Sequence, residues 1–127
     1  MPEMSFSYAV LRVVPSVERG EAINVGVVVY SRQHGDFLGV RAQLDDARLQ
    51  ALAPDCEPGP IRARLAALDL VASGAPEGGA LAELSASDRF GWLTAPSSTV
   101  IQPSDVHTGL TADPAATLEH LFDTMVA

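Results

Sequence analysis

The sequence predicts an α+β domain, an antiparallel sheet of three to four strands that opens as an N-terminal meander and is packed by about three helices, and three observations carry that prediction. Two runs rich in β-branched residues, Phe6 to Val14 and Ile23 to Tyr30, stand near the N terminus with a polar connection between them. Helical periodicity begins only after Leu44. The chain ends in an amphipathic stretch behind Asp113-Pro114, a pair suited to the cap and first position of a helix.

The first strand, "FSYAVLRVV", ends at Pro15, which cannot continue a central ladder. Period-two alternation places Tyr8, Val10, Arg12 and Val14 on one face and Ala9, Leu11 and Val13 on the other. In the second strand, Ile23, Val25, Val27 and Val29 share a face expected to be core, with Asn24, Gly26, Val28 and Tyr30 opposite. Gly26 inside that run predicts a bulge or a close backbone approach. "SRQHGD" is a turn, and "FLGVRAQL" returns as a third strand. Asp45 or Asp46 caps a short helix carrying Leu49 and Leu52 and stopped by Pro54. A longer helix from Pro60 lines up Ile61, Leu65, Leu68 and Ala72, and Gly74 supplies its stop. "GAPEGG" is expected as a flexible connection and "FGWLTAPSSTVIQPSDVHTGLT" as mostly loop, with a fourth strand from Ser98 to Gln102. The closing helix puts Leu118, Leu121, Phe122 and Met125 on one face and His120 on the other.

With 127 residues, 47% of them hydrophobic and 19% charged, the chain has the size and composition of one globular domain spanning residues 1–127. Its start lacks a basic segment followed by an apolar one, and no run approaches the ~20 apolar residues that span a bilayer, so a cytoplasmic protein is expected. The single Cys56 excludes an internal disulfide and a cysteine-rich zinc site. The net charge of −8 divides unevenly: residues 1–64 hold seven arginines against eight acids, and residues 65–127 hold Arg89 against eight more. Lysine is absent. Such a balance argues against nucleic acid, which needs a basic face; Arg12, Arg41, Arg48, Arg62 and Arg64 would have to converge to make one.

Two polar stretches are candidates for chemistry. Arg19, Glu21 and Asn24 sit at or beside the first connection, where a rigid sheet can hold loop groups in place; they can bind an anion or pair with one another. "STVIQPSDVHTG" gathers Ser98, Gln102, Ser104 and His107, and His107 is the side chain suited to proton transfer near neutral pH. Ser104, Asp105 and His107 are neighbours in one loop, whereas a catalytic triad converges from separate elements. Dinucleotide, phosphate-loop, nucleophile-elbow and kinase motifs are all missing, and three scattered histidines make no metal site, so neither cofactor nor metal is expected.

Three stretches together, "YAVLRVVPSVERGEAINVGVVVY", "FGWLTAPSSTVIQPSDVHTGLT" and "DPAATLEHLFDTMV", resemble the bacterial family called Domain of Unknown Function 3037 over nearly the whole chain. The most specific element is Arg19-Gly20-Glu21 with Asn24-Val25-Gly26-Val27; Ser97 departs from the family pattern, which often carries Arg there. The resemblance implies a one-domain cytoplasmic protein, often encoded beside a kinase-like protein similar to HipA, and gives no catalytic residues. Arg19, Glu21, Asn24, Gln102 and His107 are then the residues expected to share a pocket or partner surface. The leading expectation is a non-catalytic accessory protein acting by contact with another protein, the kinase-like neighbour or a second copy of itself. A mean hydropathy of +0.17, high for an acidic domain, fits apolar surface covered in an assembly. The alternative is a small ligand-binding domain or enzyme in which Arg19 holds an anion and Glu21 or His107 moves protons.

Overall fold

Strand β1 (Met4–Val13) occupies the middle of the sheet, and everything else is arranged about it in a computed structural model that describes residues 2–97 and 99–127. β2 (Ile23–Ser31) and β3 (Phe37–Ala42) follow as the expected meander, each antiparallel to the strand before. Two short strands, β4 (Ile101–Pro103) and β5 (His107–Thr111), share the other side of β1 end to end: β4 pairs with Leu11 to Val13 and β5 with Met4 to Tyr8. Ser104 joins them, its N–H donating to Val10 O at 2.7 Å while its Oγ accepts from Val10 N at 2.8 Å. The sheet therefore has five strands in the order β3-β2-β1 followed by β4 and β5.

Helix α1 (Asp46–Leu52) starts where Asp45 accepts a hydrogen bond from Arg48 N, and α4 (Pro114–Met125) where Asp113 accepts one from Ala116 N. α2 (Pro58–Ser73) opens on a proline and ends at Gly74, whose φ of 72° is the left-handed conformation that a side chain would strain. α1, α2 and α3 (Ala86–Leu93) cover one face of the sheet around Leu11, Val13, Val25, Val28, Leu49 and Leu65. α4 covers the other face, closing over Phe6, Val27 and Val29 with Leu118, Phe122 and Val126. Both cores rest on one central sheet, so the chain is a single compact α+β domain. Among the described residues no helix is long and apolar enough to cross a membrane.

Several expectations need correction. Among the described residues, five strands and four α-helices replace three to four strands and about three helices. The expected flexible connection is instead a 3₁₀ segment, Pro76–Glu83, kinked at Gly79. Part of the expected loop is α3, begun by Ser85 accepting from Asp88 N, and part is β5. The fourth strand starts at Ile101; Ser98, where it was expected to start, lies outside the described residues. The face of β2 is also not continuous. Leu11 stands opposite Gly26 and Arg12 opposite Asn24, which leaves Val25 as the extra residue of a bulge. An extra residue inverts the side-chain alternation beyond it. Ile23 and Val25 therefore pack with Val28 toward α1–α3, while Val27 and Val29 go to α4. Gly26 completes the device, because a Cβ there would lie 3.1 Å from Arg41 O and from the Ala42 Cβ.

Arg89, on α3, finishes α2. Its Nε donates to Leu84 O at 3.0 Å and its Nη1 donates to Val71 O and Ala72 O in the last turn of α2, where Val71 O also accepts from Gly74 N. No basic residue of α2 itself sits at that end. Arg89→Ala is expected to cost about 1.5–3 kcal/mol, read by urea unfolding, with Arg89→Lys recovering only part because one ammonium cannot reproduce the guanidinium fork.

Candidate functional site

The connection between β1 and β2 turns through Gly20, whose N–H donates to Ser16 O at 3.0 Å. It brings Arg19 and Glu21 together as an ion pair, Arg19 Nε donating to Glu21 Oε1. The side chains are 72% and 47% exposed, and they border a shallow cleft of about 180 Å³ with Pro15, Ser16, Leu52 and Ala53. The hydrogen bond donated to Glu21, then that carboxylate's charge, hold the Arg19 guanidinium above its ordinary pKa. These groups answer one another in open solvent, where an ion pair contributes little to stability. The double variant Arg19→Ala/Glu21→Ala is accordingly expected to melt at the wild-type temperature in differential scanning calorimetry; a clear drop would mean the pair is structural.

Asn24 and Gln102 flank Arg12 in a different place. Both stand opposite Arg12, Asn24 from β2 and Gln102 from β4, so the three form one row across the sheet on the face covered by α4. Asn24 Nδ2 donates to Met125 O at 3.1 Å and ties the end of α4 to β2. Gln102 Nε2 donates to Thr99 O at 3.0 Å. Arg12 is less well served: its Nε is buried without a hydrogen-bond partner, and its Nη2 lies 3.5 Å from Pro103 O. His107 belongs to neither group. It stands opposite Tyr8, with ring centroids 5.3 Å apart, four residues or about 13 Å along β1 from Arg12. The five residues named from the sequence thus fall in three places, and of five clefts formed by the described residues none is lined by more than two of them. Ser104 Oγ donates to the backbone oxygen of Asp105 and accepts from Val10 N, so its polar capacity is used in joining β4 to β5. The described residues hold no cluster of three or more His, Cys, Asp or Glu placed for a metal.

Of the arginines considered as a basic face, Arg41 pairs with Glu119 and lies 4.4 Å over the Phe122 ring, Arg48 pairs with Asp45, and Arg62 pairs with Asp46. Arg41 and Arg62 thereby tie β3 to α4 and α2 to α1, and Arg48 ties α1 to the end of α4 by donating from Nη1 to Val126 O at 2.7 Å.

What the sequence reading missed is the sheet's two margins. Gln43 N donates to Val25 O, so alternate residues of β3 face β2, and the backbone groups of Leu38, Val40 and Ala42 face outward. Along that margin runs a cleft of about 510 Å³, floored by Val40 and Ala42 and walled by Arg62, Leu65, Ala66 and Asp69 of α2. At the opposite margin β5 carries Leu110, 65% exposed, with Val106 just before the strand at 45%. Their only sequence signal is an uncharged stretch, Val106 to Ala112, in the acidic half of the chain.

No curated protein and no solved structure matches this chain. Residues 8–126 match the family described as "Protein of unknown function (DUF3037)", from the centre of β1 to the end of α4, and the chain belongs to that family.

Proposed function

We propose that the protein is a non-catalytic, cytoplasmic interaction module that works by contact, taking an extended segment of a partner protein alongside β3. The observation that carries the reading is the cleft of about 510 Å³ in which an open strand margin and the flank of α2 face each other. A row of outward N–H and C=O groups at two-residue spacing is complementary to another strand, and the apolar floor offers room to alternate side chains of that strand. The wall supplies the selectivity. Arg62 is paired with Asp46 and Arg41, which also lines the cleft, with Glu119, which leaves Asp69 as the lining charge without an ion-pair partner among the described residues, so a segment bearing a basic residue is favoured over an acidic one. The kinase-like protein that the family resemblance places in the gene neighbourhood is the first partner to try; nucleic acid, metal and cofactor have no part in this reading.

Co-expression with that neighbour, followed by native mass spectrometry, is expected to give a stoichiometric complex. Ala66→Trp, at an exposed position of the cleft wall, should abolish it without changing the fold. A complex untouched by Ala66→Trp would move the contact elsewhere, and no complex at micromolar concentration would remove this partner.

One observation favours a second reading, a site for a small anion: the Arg12 Nε without a partner in the row between Asn24 and Gln102. A buried guanidinium nitrogen left unsatisfied costs free energy that an anion could recover. Under that reading, inorganic phosphate raises the melting temperature of the wild type and not of Arg12→Gln. Equal behaviour of the two proteins would dismiss it.

A further inference from the structure

We propose that two copies of this chain join through β5, antiparallel strand to strand, about a twofold axis at Thr108. Val10 O and Val14 N are spent on Ser104 and Val100, which fixes the even-numbered residues of β1 as those facing β4 and β5. In the ladder, Met4, Phe6 and Tyr8 therefore exchange hydrogen bonds with Thr111, Gly109 and His107. Thr108 and Leu110, opposite Ser7 and Ser5, turn their N–H and C=O groups outward. An open margin of this kind is ordinarily blunted by charge, proline or a covering element. From Val106 to Ala112, "VHTGLTA", this chain has none of the first two, although eight acids lie between residues 65 and 127.

The side chains are self-complementary about the same axis. Leu110 is the most exposed large apolar residue described, and Val106, four residues before it, is also exposed. Leu110 and Thr108 share the sheet face of Ser5 and Ser7, where Ser5 is open to solvent and no apolar neighbour on β1 covers Leu110. With Thr108 opposite Thr108 of the partner subunit, Leu110 falls opposite the partner subunit's Val106, and the same contact recurs on the other side of the axis. On the second face His107 falls opposite the partner subunit's Gly109. That glycine must stay bare for Phe6, whose ring lies 2.8 Å from where its Cβ would be. A second copy is therefore the occupant that fits: it presents Val106 to Leu110 and an uncharged backbone row at matching spacing. The β3 reading is independent, since the two margins lie at opposite sides of the sheet.

A contact this short buries less than a standard interface, so a dimer of micromolar affinity is expected, and because each copy carries −8 it should tighten as salt screens the repulsion. Sedimentation velocity on the full chain from about 1 to 500 μM is expected to show a monomer–dimer equilibrium that Leu110→Lys weakens by about tenfold or more, with unchanged circular dichroism because Leu110 is largely solvent-exposed. Register is read separately. In a Cys56→Ala background, Thr108→Cys should give a disulfide-linked dimer under mild oxidation, and Leu84→Cys, exposed and distant from the axis, should not. A chain monomeric throughout that range overturns the proposal. So does a dimer indifferent to Leu110→Lys whose Thr108→Cys form fails to cross-link.

Discussion

Phe122→Ala is expected to lower the free energy of unfolding by about 3–5 kcal/mol, a large share of the 5–15 kcal/mol that holds a domain of this size together. Phe122 is 2% exposed and belongs to the smaller of the two cores, where α4 alone closes over Phe6, Val27 and Val29. Among the described residues no second helix lies on that face to move in and fill the space, so most of the cavity should persist. The variant also removes the ring beneath the Arg41 guanidinium and leaves its ion pair with the exposed Glu119 as the remaining tie of that side chain to α4. Chemical denaturation gives the value directly. Arg41→Gln serves as the control: it should cost far less, because an exposed ion pair and a surface cation–π contact each contribute about 1 kcal/mol or less. A Phe122→Ala loss under about 1 kcal/mol would mean that α4 is not the lid of that core.

Leu11→Ala is the second large effect, about 2–5 kcal/mol in the same measurement. Leu11 is 1% exposed and lies at the β1–β2 bulge, opposite Gly26. Its Cδ1 would sit 3.3 Å from a Cβ on residue 26, so the leucine fills the space that the glycine leaves empty. That geometry couples the two positions. In wild type, Gly26→Ala forces its methyl against Arg41 O, Ala42 and Leu11 together; in the Leu11→Ala background one of the three contacts is relieved. The double variant should therefore be less damaged than the sum of the singles, with a coupling of about 0.5 kcal/mol or more. Strict additivity would show that Leu11 and Gly26 do not share that space.

The parts of the fold that could be read from the sequence are those whose cause lies within a few residues. Asp45 and Asp113 announce α1 and α4 because a cap bonds an amide three residues ahead. Ser85 and Asp88 carry the same signal for α3, but eight residues interrupted by Gly91 offer too little periodicity to separate a helix from a loop. β5 is harder still, since three of its five side chains are exposed and Gly109 breaks the alternation. The bulge at Val25 was legible only as an oddly placed glycine. Its consequence, the assignment of Val25 and Val27 to opposite cores, follows from the register against β1 and β3.

The candidate site divides in the same way. Sequence alone determined that Arg19 and Glu21 stand close enough to neutralise each other, that Asn24 lies at the start of a buried strand, and that the chain belongs to the DUF3037 family. Those are properties of neighbours along the chain. Only the tertiary structure decided that Asn24 and Gln102 flank Arg12 from either side, that Arg89 completes a helix ending at residue 73, and that the sheet remains open at β3 and β5. Each of these joins residues brought together by strand pairing or helix packing, as Ser104 and Val10 are across 94 positions. Which backbone groups stay unpaired depends on where every other strand has gone, and no local pattern of side chains encodes that.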